Sequence, residues 1–258
     1  MLEYLSRAPY DNVFITHLVL FERAPATRNG IFVALDEGRV VGAAYFGRQL
    51  VLACDPQALE AFAEHATRHR GERMIVGPRS TVSAFWNLQR ARHRRPRLVR
   101  DRQLVMTIDR QRLRPFAPIA TVRLARPGEW AEVVESSAQM IEHELAYDPR
   151  RASRDFVATV REMIERERWW VGEAEGRLCF FCSVGPWCNH TAQLQGVWTP
   201  PDLRGRGFAG ASLGAICDRL LTASPTLSLH VNDFNERAIA LYRRIGFEHV
   251  SDYQTILF

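Results

Sequence analysis

With 258 residues, 47% of them hydrophobic and 24% charged, the chain has enough apolar surface for one large or two small globular domains, and its composition excludes a disordered or fibrous protein. No apolar run approaches a membrane span, and the N-terminus lacks a basic-then-apolar leader pattern, so no membrane partner is expected. The net charge is +5 and the pI about 9.2, yet all 34 basic residues are arginine, which reads as compositional bias rather than an anion-binding surface. Five cysteines make a disulfide framework a poor fit and a reducing, cytoplasmic setting the expectation.

In chain order, a helix is expected over 11–21, where Phe14, Leu18 and Phe21 share a face. Strands at 31–35 and 40–45 join through Asp36-Glu37-Gly38. A helix from Pro56 to His69 carries Leu59, Phe62, Ala63 and Ala66 on one stripe. A strand at 73–77, a helix at 80–89 and a long strand at 98–108 complete the first half. Pro115 and Pro118 interrupt the pattern, which sets residues 111–120 as a linker between units 1–110 and 121–258.

The second half opens with a strand at 121–125 and helices at 128–145 and 154–167. Strands follow at 169–173, 178–184 and 192–199, a helix begins near Arg206, and 227–231 is a strand. A helix at 235–245 stops at Gly246, a natural C-cap, and two short strands close the chain at 248–251 and 253–258. The order is mixed α/β (α+β), antiparallel first and strand–helix–strand–helix later.

The segment with the most chemistry is Arg204-Gly205-Arg206-Gly207-Phe208-Ala209-Gly210. A strand ends at Val197-Trp198-Thr199, two prolines stop the ladder, and glycines lead into a helix. Glycine lets backbone approach a ligand closely, and the unpaired N–H groups of a helix start carry partial positive charge. Such a turn suits a phosphate or pyrophosphate, with Arg204 and Arg206 as added charge. Gly205-x-Gly207-x-x-Gly210 also matches a dinucleotide fingerprint. That reading fails on context, because two prolines and Arg204 separate the strand from the first glycine. No acidic residue ends the next strand either.

Arg204, Gly207 and Ala209, followed by Asn235-x-x-Ala238-x-x-x-Tyr242-x-x-x-Gly246-Phe247, resemble the two signature motifs of the GNAT acyltransferase superfamily. Gln195-Gly196-Val197-Trp198, Val231–Asn235 and Thr255–Phe258 are similar to a bacterial group in which a domain of unknown function, itself a degenerate GNAT-like fold, precedes the acetyltransferase domain. The resemblance implies two tandem GNAT-like domains, each a twisted mixed sheet flanked by helices. It implies an N-acetyltransferase that takes acetyl-CoA (CoA) as cofactor and a small-molecule, peptide or protein amine as acceptor. Val197, Trp198, Thr199, Arg204, Gly205, Arg206, Gly207, Phe208, Ala209 and Asn235 would then hold the cofactor. Backbone N–H groups near Val197–Thr199 would polarise the thioester carbonyl, and Tyr242 would protonate the leaving thiolate. Nothing in residues 1–110 matches the cofactor loop, so the first half is expected to be non-catalytic.

Several groups are open as the general base. Many relatives carry a glutamate on the strand before the cofactor loop, where this chain has Gln193 and Gln195. Glu144, at the end of the first long helix of the second half, is the carboxylate chosen in its place; His190 and His230 remain candidates. The missing strand glutamate supports an alternative, an acyl-CoA-binding sensor or pseudoenzyme without efficient turnover. His143-Glu144-Leu145-Ala146-Tyr147 lacks the second histidine of a zinc site, and Cys179-x-x-Cys182 would point to opposite faces of a strand, so no metal is expected. The arginines at 90–102 lack interleaved aromatics, which favours a solvated face over a nucleic-acid partner. A homodimer is left open.

Overall fold

The computed structural model describes residues 1–69 and 72–258. The first half runs through helices α1 (Leu2–Leu5), α2 (Val13–Phe21) and α3 (Pro25–Arg28), then strands β1 (Ile31–Asp36), β2 (Arg39–Phe46) and β3 (Gln49–Cys54). It continues with α4 (Leu59–Ala66), β4 (Met74–Pro78), α5 (Arg79–Gln89) and β5 (Leu98–Asp109). The second half starts with β6 (Thr121–Leu124), α6 (Trp130–Leu145), α7 (Pro149–Ala152) and α8 (Phe156–Glu165). Strands β7 (Trp169–Ala174), β8 (Arg177–Trp187) and β9 (Thr191–Trp198) lead to α9 (Phe208–Leu220) and β10 (Thr226–Asn232). Helix α10 (Glu236–Ile245) and β11 (Glu248–Leu257) end the chain.

Local chemistry accounts for these boundaries. The Asn235 side chain accepts a hydrogen bond from the Ala238 amide at 3.2 Å and so caps α10, and Gly246 ends it. The buried stripe of α10 is Ile239, Tyr242 and Ile245, leaving Ala238 and Leu241 half-buried at its edge. Strand β3 has no counterpart in the sequence reading, because Leu50, Val51, Leu52 and Ala53 are all buried. A strand covered on both faces shows no polar alternation, and five apolar residues in a row do not distinguish strand from helix. The two closing strands are one, β11, bent by irregularities at His249/Ser251 and Tyr253/Thr255.

The described strands form one sheet of eleven, in the order β1-β2-β3-β4-β11-β5-β10-β9-β8-β7-β6. Its centre joins the two halves through crossed strands. The last strand, β11, lies between β4 and β5 of the first half, and β5 in turn pairs antiparallel with β10 of the second. Each half therefore supplies a strand flanked by the other half's backbone, and the sheet is continuous across the two halves.

One face of the sheet is covered by α4 and α5 over Leu50, Leu52, Ile75 and Ile256, and by α9 and α10 over Met106, Ile108, Leu227 and Leu229. The other face carries α1 and α2 over Ala43, Val51 and Ala53, and α6 and α8 over Trp169, Val171, Phe181 and Trp198. Fully buried side chains such as Phe85, Phe180, Phe247 and Met106 each contribute about 1.5–3 kcal/mol of burial. Helix α2 also reaches the second half, where His17 packs edge-on against Trp187 with ring centroids 4.3 Å apart. No helix among the described residues is long and apolar enough to cross a membrane.

Candidate functional site

Strands β9 and β10 run parallel and pair from Thr191 opposite Thr226 to Leu194 opposite Leu229. Past that point the described residues of the two strands make no further pairs, and the sheet opens into a notch. Gly196, at φ +63°, produces the bend; a side chain there would sit 3.2 Å from the Trp169 ring as well as straining the backbone. Backbone groups of Val197, Trp198 and Thr199 on the β10 side are thereby released from the ladder, as an oxyanion-stabilising role requires.

The notch leads into a cleft of 680 Å³, a size suited to a large cofactor. Its floor is the turn before α9. Gly205 (φ +79°) and Gly207 (φ +83°) adopt the left-handed conformation, and Gly207 is the N-cap of α9. Arg204 braces the turn: its Nε donates to the Thr199 carbonyl at 3.1 Å and its guanidinium lies 4.4 Å from the centre of the Trp198 ring. Nine of the ten expected cofactor-binding residues line this cleft. Arg206 does not; it is exposed.

The walls hold the two expected catalytic residues, Tyr242 and Glu144. Tyr242 is buried, and burial, followed by the nearby Cys182, Glu144 and Cys217, raises its pKa, so the phenol stays protonated and available as an acid. Two further cleft residues were not singled out from the sequence, Arg237 and Arg244. The signal was present, since they lie on the same side of α10 as Ala238 at helical spacing. His143 also lines the cleft and packs 5.8 Å from the Trp198 ring. A larger cleft of 1410 Å³ runs along α6 and adjoins the first through His143, Trp198 and Arg204.

Two buried polar atoms at this site, Thr199 Oγ1 and Trp198 Nε1, have no hydrogen-bond partner among the described residues. Buried polar groups are nearly always paired, and both residues line the cleft. Together with the left-handed glycines and the helix start, they are compatible with a phosphate-bearing acyl cofactor.

Behind the notch, Gln193 and Gln195 form an amide chain rather than a base. Gln195 Nε2 donates to Gln193 Oε1 at 2.9 Å, and Gln193 Nε2 lies 3.1 Å from His230 Nε2. Burial lowers the His230 pKa from 6.5 to about 4, so the ring is neutral near pH 7 and Nε2 accepts from Gln193. The unfolded chain takes up this proton first as pH falls. The contribution is therefore complete above about pH 6.5 and is lost as pH falls toward about 4. Urea unfolding at about pH 4.5 and pH 7 is expected to show His230→Gln narrowing the stability difference between the two by about 2 kcal/mol.

A mixed sheet splayed between two parallel strands, with a glycine turn and helix start at its mouth, fits the class of an acyltransferase. Residues 136–247 match the Acetyltransferase (GNAT) family, and residues 30–133 match a domain of unknown function, DUF4081. The chain carries a GNAT-family acetyltransferase domain preceded by a DUF4081 domain, and it is an acetyltransferase. It is 29% identical over 263 residues to the mycothiol acetyltransferase of Acidimicrobium ferrooxidans, covering 88% of this chain and 81% of that protein. Its fold is similar to a GNAT-family acetyltransferase from Colwellia psychrerythraea, with TM-score 0.60 and 14% identity over 100% of this chain and 97% of the other. A tandem GNAT protein from the clavulanic acid biosynthesis pathway has TM-score 0.52 and 18% identity, covering 95% and 87%. GNAT acetyltransferases in general use acetyl-CoA.

Proposed function

We propose that the 680 Å³ cleft binds acetyl-CoA and that the protein moves its acetyl group to a primary amine by direct attack. The observation that carries this reading is the coincidence, in one cleft, of a strand end freed from its parallel neighbour, a left-handed glycine turn and a buried tyrosine. Acetyl-CoA, when bound, supplies an acyl group activated as a thioester. Amide hydrogens at Val197–Thr199 stabilise the negative charge that develops on the carbonyl oxygen. Glu144 holds the attacking amine. As the new C–N bond forms and the C–S bond breaks, Tyr242 gives its phenolic proton to the departing sulfur and the amine proton leaves to Glu144 or solvent. The amides from Gly207 onward and the basic side chains Arg237 and Arg244 receive the phosphates. In this reading residues 121–258 carry the chemistry, 111–120 are the linker, and 1–110 form a degenerate GNAT-like unit with no cofactor turn of its own.

The name of the Acidimicrobium relative makes mycothiol-type compounds the first acceptors to try. Incubation with acetyl-CoA and a panel of amines is expected to release free CoA thiol with at least one acceptor. Gln193 and Gln195, standing where a proton acceptor is expected, favour a second reading, an acyl-CoA sensor without efficient turnover. Micromolar CoA binding with no thiol release across the panel would select that reading. Absence of CoA binding would remove both.

A further inference from the structure

The inference below rests on the acetyl-transfer reading and concerns the part the first half plays in it. Strand β5 belongs to the first half by sequence, yet the crossed sheet places it between β11 and β10, next to the strand that borders the notch. Arg100 lies on β5 opposite Thr255. Its Nη2 donates to Glu144 Oε2 at 2.9 Å, forty-four residues away in sequence and on the other side of the linker. The Arg100 side chain is only 15% exposed, whereas that of Glu144 is 40% exposed and lines the cofactor cleft beside Tyr242.

The pair is shielded on one side only. The Arg100 guanidinium is mostly withdrawn from water, Glu144 stays exposed, and the charge-assisted bond engages one carboxylate oxygen, so Glu144 Oε1 takes no part in it. Glu144 sits in the last turn of α6, just before Ala146, which takes the left-handed conformation at φ 54° and turns the chain away. Without a second anchor this carboxylate would be a mobile helix-end side chain. A neighbouring contact repeats the arrangement: Arg97 of the same segment lies 4.7 Å from the centre of the Tyr147 ring. Two arginines from the first half thus grip the end of α6 and its exit.

We infer that Arg100, supplied by the first half, is a positioning residue for acetyl transfer: it fixes the Glu144 carboxylate at the mouth of the cofactor cleft so that the free oxygen meets the acceptor amine. The first half is in this way a structural part of the acceptor site rather than an appendage. Lysine at this position would keep the charge, while glutamine would keep the stem and lose it.

The test uses the full chain with acetyl-CoA and whichever amine gives thiol release. Arg100→Ala is expected to raise the acceptor KM about tenfold while leaving the acetyl-CoA Kd within about twofold. Arg100→Lys is expected to recover most of that loss. The double variant Arg100→Ala/Glu144→Gln is expected to be no worse than Glu144→Gln alone, since both act on one interaction. As a control, Arg79→Ala removes a neighbouring ion pair to Asp101 on the same strand, 2.5 Å long, and is expected to keep wild-type kinetics. If Arg100→Ala does not fold, Arg100→Gln carries the same expectation. Wild-type kinetics in the Arg100 variants, or losses that add to those of Glu144→Gln, would overturn the inference while leaving the acetyl-transfer reading intact. No thiol release by the wild-type protein with any acceptor would overturn both.

Discussion

Tyr242→Phe is expected to lower kcat about a hundredfold while leaving acetyl-CoA affinity within about twofold of wild type. The substitution deletes one oxygen and keeps the ring, which is buried and packs against Phe247 with ring centroids 5.8 Å apart. Packing of α10 is therefore retained. On the proposed mechanism, what disappears is the proton donor for the sulfur, and an unprotonated thiolate is the poorer leaving group. The raised pKa of Tyr242, caused first by burial and then by the nearby thiols and Glu144, keeps the donor protonated across the working range, so its own ionisation should not limit the rate near neutral pH. Rapid-quench or thiol-release kinetics, paired with calorimetry of acetyl-CoA binding, would separate the two quantities. A variant with wild-type kcat would remove Tyr242 from the chemistry.

Gly207→Val is expected to weaken CoA binding about a hundredfold or more. Gly207 sits at φ +83°, a conformation that a β-branched residue resists, and its new Cβ would lie 3.2 Å from the Ile119 side chain. The turn would have to rearrange, and with it the amides at the start of α9 to which the proposed binding mode assigns the diphosphate. The effect should be selective. Acetyl-pantetheine, which has the thioester arm and no diphosphate, is expected to bind wild type and variant with similar affinity, whereas acetyl-CoA loses its advantage. Equal losses for both ligands would mean that the turn serves the fold and not the phosphates.

The residues that made the site legible act over short distances. Gly205, Gly207 and the start of α9 lie in one turn, and Asn235, Tyr242 and Gly246 lie on one helix; glycine conformation brought out the turn and the C-cap, and resemblance to the family's second motif brought out Asn235 and Tyr242. All but one of the residues expected at the cofactor are at the cleft. Arg206 falls outside because alternate residues of a tight turn point in different directions, and spacing alone does not tell which of two arginines faces inward. Arg237 and Arg244 went unnoticed because exposed arginines on a helix are the ordinary pattern of a solvated face.

By itself the sequence determined the mixed α/β class, most element positions, the glycine turn and the chemistry available on α10. Only the tertiary structure decided that β3 exists, that β5 and β11 are exchanged between the halves, and that Arg100 meets Glu144. The reason is physical. Turns, caps and amphipathic stripes are set by neighbours within a few residues, while strand pairing depends on backbone hydrogen bonds to partners that local pattern does not specify. Leu98–Asp109 has the same alternation whichever strands flank it, and the choice of Thr226–Asn232 on one side and Glu248–Leu257 on the other is made when the whole sheet closes over its core.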